Sequence, residues 1–484
     1  MNRRLVLNTV GYILLAEAAL LLLPVLISLI YRDGNALDFL VTAVITAAAG
    51  GACLAIRVKD KSIYAREGFV TVALAWTLMS VFGCLPFIFS GAIPSFIDAF
   101  FETVSGFTTT GATIMTEIES ASRSILFWRS FTHWIGGMGV LVFVLAVVPL
   151  GGQRSMHLMR AEVPGHIKGK LVPKMRDTAK ILYAIYTGLT VLEIILLCAG
   201  GMSLYDSVLT GFSTAGTGGF SNYAASIAHF QNPYFEYVIG TFCLLFGVNF
   251  TFYYLLLIRQ GRSIFKNEEF KVYVAIVVFS TLTITANLMS TASSFGEAFR
   301  LAYFQTASII TTTGFVSTNF QGWPQYARIL LLMLTFIGAC TSSTGGGLKV
   351  SRAVILYRQL KQGINQLVHP HAVTSVHMDG KPITTPVLRN ALIFFTAYIF
   401  IAALSILILS VDNGDFSSSF AVIASCFNNN GATTDVLGTV WSYRDFSVLS
   451  KLVMCFNMLA GRLEIFPMLI LFSPTVWRIG ADNR

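Results

Sequence analysis

Hydrophobic residues occur along most of this chain in long runs that are separated by short polar segments. Most of the runs approach or exceed the ~20 residues that cross a bilayer as a helix, so they predict membrane spans. The first run is too long for a signal-peptide core and is followed directly by a second, so we expect a retained helix. The runs fall at 8–30, 37–57, 69–92, 124–149, 178–200, 235–258, 269–290, 325–360, 387–411 and 446–473.

Four shorter amphipathic segments interrupt this pattern, each lying between two long runs. They are too short to cross a membrane, so we expect half-span helices that dip in and return. Non-helical backbone at membrane depth is tolerated only inside protein or against water, which four loops converging on one axis would satisfy. The segments cover about 97–107, 203–212, 297–309 and 416–427.

Each short segment ends on a hydrophobic residue, three small or polar residues and a glycine. Glycine permits the backbone geometry that aims carbonyls at a pore axis, and Thr or Asn adds a hard oxygen donor for an alkali cation. The pattern therefore predicts a four-sided cation filter. We call these segments the glycine loops, and they are FTTTG (107–111), FSTAG (212–216), ITTTG (310–314) and FNNNG (427–431).

The segments before the glycines are also related. FETVSGFTTTG (101–111) matches FQTASIITTTG (304–314) at Phe, Thr, Ser and the final TTTG, so the two are one repeated element. A hydroxyl lies six residues before every glycine, and helix capping explains it as well as a role at the filter does. These hydroxyls belong to Ser105, Thr210, Ser308 and Ser425.

Composition and charge place the protein in a membrane. Hydrophobic residues make up 55% of the 484 positions and charged residues only 12%. The net charge is +9, and 25 of the 33 Lys and Arg residues lie on one side if the spans alternate. This positive-inside bias predicts cytoplasmic termini. The net charge therefore reports membrane orientation and does not indicate a nucleic-acid partner. The basic segments are the two termini, 57–66, 154–180, 259–271 and 349–389.

These patterns predict an all-α polytopic membrane protein. It would comprise an N-terminal two-helix hairpin and four parallel repeats of span, pore helix, filter loop and span around one pore. Parallel repeats argue against the inverted repeats of many transporters of organic solutes. We expect the hairpin at 1–66 and the repeats at 67–152, 153–262, 263–366 and 367–484.

The inner span of the third repeat is interrupted by GACTSSTGGG (338–347), which cannot hold a regular helix. We interpret this segment, together with Lys349, as an intramembrane loop that gates the pore; a passive kink is the alternative. A phosphate-binding loop is disfavoured, because the adjacent Gly-Lys-Ser/Thr is missing. The predicted gate residues are Gly338, Thr341, Ser342, Ser343, Thr344, Gly345, Gly346, Gly347 and Lys349.

A cation also lies within the last apolar run. Arg462 is costly in a membrane unless it faces water or a partner, and Glu464, two residues away on a helix, does not face it. The Arg462 charge therefore requires water or another partner. The sequence carries no HExxH motif, no paired intramembrane aspartates and no CxxC pair, so we expect neither an enzyme nor an organic cofactor.

The glycine loops and the repeat architecture resemble the TrkH branch of the Trk/Ktr/HKT superfamily of potassium transporters, over the whole chain. The resemblance implies that backbone carbonyls of the glycine loops bind potassium, the transported ion, and that four glycines favour potassium over sodium. Ala215 and the asparagines would make the filter asymmetric. The implied ion-binding residues are Thr109, Thr110, Gly111, Thr214, Ala215, Gly216, Thr312, Thr313, Gly314, Asn429, Asn430 and Gly431.

The resemblance also implies potassium uptake across a bacterial inner membrane, with Arg462 as an electrostatic barrier below the filter. The implied partners are membrane lipid, a second copy of the chain in a homodimer, and a cytosolic TrkA-type subunit whose RCK domains bind nucleotide. Proton- or sodium-coupled symport is the alternative to a channel-like pore, although the sequence displays no intramembrane proton relay.

Overall fold

The computed structural model describes residues 1–58, 65–139, 175–371, 375–412, 415–432 and 443–477. Within these ranges the regular structure is helical apart from one antiparallel pair, β1 (His377–Met378) and β2 (Lys381–Pro382). The predicted all-α class is therefore confirmed. The predicted basic segments 57–66 and 154–180 lie largely outside the described residues.

The N-terminal part contains α1 (Arg3–Leu20), α2 (Leu22–Tyr31) and α3 (Ala36–Leu54). Helices α1 and α3 pack through facing glycines, since a Cβ on Gly11 would lie 2.8 Å from the carbonyl oxygen of Gly50. Small residues allow this close approach, which replaces the hydrophobic driving force that is missing between helices in lipid.

The other helices of the described chain follow in four groups, and each group contains one short, deeply buried helix. The first two groups are α4 (Ala65–Gly83), α5 (Leu85–Phe89), α6 (Phe96–Phe107) and α7 (Arg123–Gly137), then α8 (Met175–Ala199), α9 (Leu204–Gly216), α10 (Pro233–Phe246) and α11 (Phe250–Leu257). The last two are α12 (Glu268–Leu288), α13 (Phe295–Ile310), α14 (Gln325–Ile337) and α15 (Val350–Val368), then α16 (Thr385–Leu409), α17 (Phe416–Asn428), α18 (Val448–Arg462), α19 (Phe466–Phe472) and α20 (Pro474–Trp477).

Six helical stretches of the described chain are long and apolar enough to cross a membrane, and a bent pair makes a seventh. Each corresponds to one of the predicted apolar runs. The run predicted at 124–149 continues beyond the described residues, whereas those at 325–360 and 446–473 are broken into two helices. The stretches are Arg3–Tyr31, Ala36–Leu54, Arg66–Phe89, Asp177–Ala199, Glu268–Leu288, Thr385–Asp412 and the pair α10 and α11, which meet at 90°.

The four predicted short helices are present as α6, α9, α13 and α17. Each begins at a side-chain cap that accepts a backbone N–H three residues on, which satisfies one of the unpaired donors of the first turn. The caps are Ser95, Ser203, Ser294 and Asp415. The C-terminal ends of these helices point into the buried centre, where the glycine loops follow.

Candidate functional site

The four short helices end in one backbone pattern. The N–H of the residue before a glycine donates to a serine carbonyl five residues back, at 2.8–3.0 Å, so the chain leaves each helix at the same point. These hydrogen bonds run from Thr110 to Ser105, from Gly218 to Ser213, from Thr313 to Ser308 and from Asn430 to Ser425. The glycines that follow are Gly111, Gly219, Gly314 and Gly431.

Left-handed backbone precedes this donor in every copy, with φ between 53° and 58° at Thr109, Thr217, Thr312 and Asn429. Two residues later the chain is left-handed again, with φ of 79° at Gly111, 79° at Gly219 and 80° at Gly314. Side chains disfavour this conformation, which explains the glycine at the end of these three loops. The fourth loop shares the left-handed residue and the hydrogen bond to the serine carbonyl, but Gly431 is not left-handed.

The second glycine loop lies three residues further along the chain than the sequence predicts. Thr214, Ala215 and Gly216 form the last turn of α9, and the Thr214 hydroxyl donates to the Thr210 carbonyl at 2.9 Å, as inside a helix. Because the left-handed helix cap comes only at Thr217, the residues with loop geometry are 217–219. The structure therefore corrects the predicted register of this loop, and the equivalent hydroxyl before it is Ser213 rather than Thr210.

The four loops meet at one place. A Cβ placed on Gly111 would lie 2.0 Å from the Gly218 oxygen, and one placed on Gly219 would lie 2.1 Å from the Thr313 oxygen. Each loop contacts the next in chain order and the fourth contacts the first, which closes a ring. The ring contacts run from Gly111 to Gly218, from Gly219 to Thr313, from Gly314 to Gly431 and from Gly431 to Thr110.

The asparagines of the fourth loop tie it to its two neighbours. The Asn429 amide donates to the Thr110 hydroxyl of the first loop at 2.9 Å and to the Met458 carbonyl at 2.9 Å. The Asn430 amide donates to the Ile309 carbonyl, at the end of α13, at 3.2 Å. Both side chains are fully buried. The asparagines that distinguish this loop therefore hold the ring together.

A buried ion pair connects the segments that follow the first two glycine loops. The Arg129 guanidinium contacts the Glu102 carboxylate at 2.6 Å, and both side chains are almost completely buried. Glu102 also accepts from the Thr113 hydroxyl and the Ile114 N–H, at 2.9 and 2.8 Å, while Arg129 donates to the Ser221 carbonyl at 3.0 Å. Losing one partner of such a pair costs about 3–5 kcal/mol, because the other charge is left buried.

The segments that leave the first two loops are also joined near the surface. The Ala224 N–H donates to the Glu119 carboxylate at 2.7 Å, and this hydrogen bond lowers the pKa of the Glu119 carboxyl below its usual value. The carboxylate is charged at neutral pH, so the link persists there.

The intramembrane loop (338–349) lies directly beside the third and fourth glycine loops. The Gly346 N–H donates to the Thr312 hydroxyl at 2.6 Å. A Cβ on Gly345 would lie 2.8 Å from the Thr311 oxygen, and one on Gly346 would lie 2.5 Å from the Asn428 oxygen. The absence of side chains at these two positions allows this close contact between the loops.

On its other side the intramembrane loop contacts the break between α10 and α11. Backbone and hydroxyl groups of the two segments form hydrogen bonds with each other. Some of the non-helical backbone in both segments therefore has hydrogen-bond partners. The hydrogen bonds are Cys340 N–H to Gly247 O at 3.0 Å, Phe250 N–H to Ser342 O at 3.1 Å and Thr344 hydroxyl to Phe246 O at 3.2 Å.

Internal contacts hold the rest of the intramembrane loop. The Ser343 hydroxyl donates to the Cys340 carbonyl at 2.6 Å, and the buried Lys349 ammonium donates to the Gly345 carbonyl. The loop begins and ends at left-handed glycines, Gly338 and Gly347, which lie against each other. Thr341 is held from outside the loop, by Glu269 of α12.

Arg462, at the end of α18, bridges the intramembrane loop and the first group of helices. Its guanidinium donates to the Thr344 carbonyl at 2.5 Å, and to the carbonyls of Gly136 and Gly137 at 2.7 and 2.6 Å. Glu464 pairs with Arg352 of α15. Arg462 therefore has partners in the structure, an anchoring role that the sequence did not predict.

Three features of the site were missed at the level of sequence: the second loop at 217–219, the buried pair Glu102 and Arg129, and Glu269. The string GTGG (216–219) and the serine six residues before each true loop glycine are signals that could have found the first. Glu102 and Arg129 lie 27 residues apart on two helices, and Glu269 contacts the intramembrane loop 72 residues away, so a single sequence carries no signal for either contact. Among the described residues no group of His, Cys, Asp and Glu could hold a metal ion.

Comparisons with known proteins agree with this architecture. The model of the TrkH family, described as cation transport protein, matches residues 37–479. The chain is 37% identical to the Trk system potassium uptake protein TrkH of Escherichia coli, over 99% of this chain and 100% of that protein. It is 33% identical to TrkH of Halomonas elongata, over 99% and 100%. The crystal structure of the potassium transporter TrkH from Vibrio parahaemolyticus superposes with a TM-score of 0.89 and 34% identity, covering 99% and 100% of the two chains.

The apolar spans, the short buried helices and the cluster of loops define a multi-pass helical membrane protein of the transport class. The chain belongs to the TrkH family of cation transport proteins.

Proposed function

We propose that this protein takes up potassium across a bacterial inner membrane through a channel-like pore formed by the four glycine loops. The supporting observation is the ring, in which four loops, each with a left-handed residue and a hydrogen bond to a serine carbonyl, contact one another in chain order. Backbone carbonyls arranged around an axis can replace the hydration shell of an alkali cation. The ion-binding residues would be 109–111, 217–219, 312–314 and 429–431.

The intramembrane loop is the proposed gate. It contacts the third and fourth glycine loops and the break between α10 and α11, and these contacts hold it in one arrangement. Movement of the loop away from that arrangement could open a path for ions. Arg462 would contribute in two ways, as a fixed positive charge that opposes cation passage and as an anchor of Thr344.

The assembly that we propose follows the family. The relatives are components of a Trk system, which supports a further subunit for this chain. We propose a cytosolic TrkA-type subunit that binds nucleotide, a homodimer with one pore in each protomer, and cytoplasmic termini as the positive-inside bias predicts.

Gly314→Ser tests the filter assignment. Gly314 has φ +80°, and a Cβ there would lie 3.1 Å from the Gly431 nitrogen, so a serine would distort the ring. We expect the preference for potassium over sodium to fall about tenfold, the effect of roughly 1.4 kcal/mol at one site. The measurement is the relative permeability to potassium, rubidium and sodium of purified protein in liposomes.

Gly322→Ser is the matched control, because nothing lies within 4 Å of a Cβ at this outer glycine. It should keep the wild-type permeability ratios. Unchanged ratios in the Gly314→Ser protein would remove the glycine loops from the selectivity mechanism.

One observation favours ion-coupled symport as a second candidate. Glu17 in α1 and Glu193 in α8 are fully buried carboxyls within membrane-spanning helices. Glu193 lies against the Thr214 hydroxyl, and the Glu17 carboxyl has no hydrogen-bond partner among the described residues. Acidic groups inside a membrane are costly and commonly serve ion or proton transfer.

A further inference from the structure

Glu269 connects the start of α12 to the intramembrane loop. Its carboxylate accepts from the Thr341 N–H at 2.7 Å and from the Thr341 hydroxyl. The same hydroxyl lies 3.2 Å from the Ser351 hydroxyl. Glu269 is 4% exposed, so solvent competes little for these hydrogen bonds.

Glu269 also serves the helix that follows the loop. Helix α15 begins at Val350, and the side chain at its N-cap position, Lys349, caps no N–H group. The Ser351 hydroxyl, in the first turn, is linked to the Glu269 carboxylate through the Thr341 hydroxyl. A carboxylate near the start of a helix also complements the helix dipole. Glu269 thus contacts the loop directly at Thr341 and the start of α15 through Thr341.

The backbone that carries Glu269 is itself fixed. The Asn267 side chain caps α12, and the Asp379 carboxylate accepts from the Glu268 N–H at 2.9 Å and from the Asn267 amide at 3.3 Å. Asp379 and Gly380 form the two-residue turn between β1 and β2, and both have positive φ, as a tight hairpin requires. Glu269 is therefore presented to the loop from a rigid support.

We propose that Glu269 is a positioning residue of the gate, which holds the intramembrane loop against the glycine loops and so keeps basal flux low. The inference rests on the proposed function of that loop. No contact joins Glu269 to the glycine loops among those that the structure describes, so its effect is on the amount of flux and not on ion preference.

The test is rubidium flux into liposomes that contain the purified full-length protein. Glu269→Gln weakens the charge-assisted hydrogen bonds, and we expect basal flux to rise about tenfold, the scale of one such bond. Thr341→Val removes only the hydroxyl and should raise flux less. The double variant should not exceed Glu269→Gln, because both substitutions break one contact.

Two controls are matched to these variants. Glu268→Gln removes the same charge one residue away, where the side chain pairs with Arg358 and is remote from the loop, and should stay within about twofold of wild type. Thr341→Ser keeps the hydroxyl and should therefore reverse most of the rise in flux seen in Thr341→Val. Hydrogen exchange at the Thr341 amide should accelerate in Glu269→Gln protein and not in Glu268→Gln protein.

Several outcomes would overturn the inference. These are unchanged or reduced flux in Glu269→Gln, multiplied effects in the double variant, or a changed ratio of potassium to sodium permeability. If Glu269→Gln does not fold, unchanged flux in Thr341→Val would overturn it alone. Absence of potassium and rubidium flux in the wild-type protein would instead contradict the proposed function. Failure of the Glu269 inference is therefore distinguishable from failure of the proposed function.

Discussion

At the scale of single residues, one glycine loop differs from its sequence prediction. FSTAG (212–216) matches the motif in the class of residue at every position. Helix α9 nevertheless continues through it, and the left-handed turn begins at Thr217. A motif of small residues cannot specify where a helix stops, because Ser, Thr and Ala are compatible with a final helical turn. In the other three loops the left-handed residue lies inside the motif, at Thr109, Thr312 and Asn429, and no second glycine follows closely.

Cysteine substitution distinguishes the two registers. A thiol at Thr217 would face the ring, whereas one at Thr214 would remain on α9 beside Glu193. Silver ions are soft and bind thiolates. We expect external silver to block rubidium flux through Thr217→Cys protein and to leave Thr214→Cys protein at the wild-type level. Block of the Thr214 variant alone would restore the sequence-predicted register. Silver-treated wild type controls for the native cysteines.

At the scale of elements, three spans are broken. The gap between α14 and α15 was predictable, because its glycines and hydroxyls cannot sustain a helix in an apolar run. The sequence did not predict the other two interruptions, which are the bend between α10 and α11 and the break between α18 and α19. The latter includes Ile465 with φ +65°, a conformation that a β-branched residue rarely adopts. The adjacent Glu464 pairs with Arg352 of α15, and a contact of this kind is not encoded in a local pattern.

Arg462→Ala tests how α18 controls the intramembrane loop. The substitution removes a positive charge and the hydrogen bonds to Thr344, Gly136 and Gly137. We expect rubidium flux to rise about tenfold, as the loss of one charge-assisted hydrogen bond would allow. A deletion within 343–347 should raise flux as well.

Arg462→Lys separates the two roles of this residue. Lysine keeps the charge but lacks the forked guanidinium that reaches several carbonyls. Low flux in the lysine variant would assign the barrier to charge, and high flux would assign it to anchoring of the loop. Reduced flux in well-folded Arg462→Ala protein would contradict both roles.

At the scale of the whole molecule, the apolar runs predicted the spans well, because length and hydropathy alone decide what can cross a bilayer. The meeting of four loops was inferred from repetition, and the structure brings them together at 109–111, 217–219, 312–314 and 429–431. Buried partners such as Glu102 with Arg129, or Glu269 with Thr341, could not be predicted, since each contact joins two different elements and depends on how those elements pack.

Potassium and rubidium flux into liposomes containing the purified wild-type protein tests the central claim most directly. The flux is measured under a potassium gradient, with the proton and sodium gradients first set to zero and then imposed. A channel-like pore predicts flux that follows the potassium gradient alone. Flux that appears only with a proton or sodium gradient would contradict the channel and turn attention to the buried carboxyls Glu17 and Glu193.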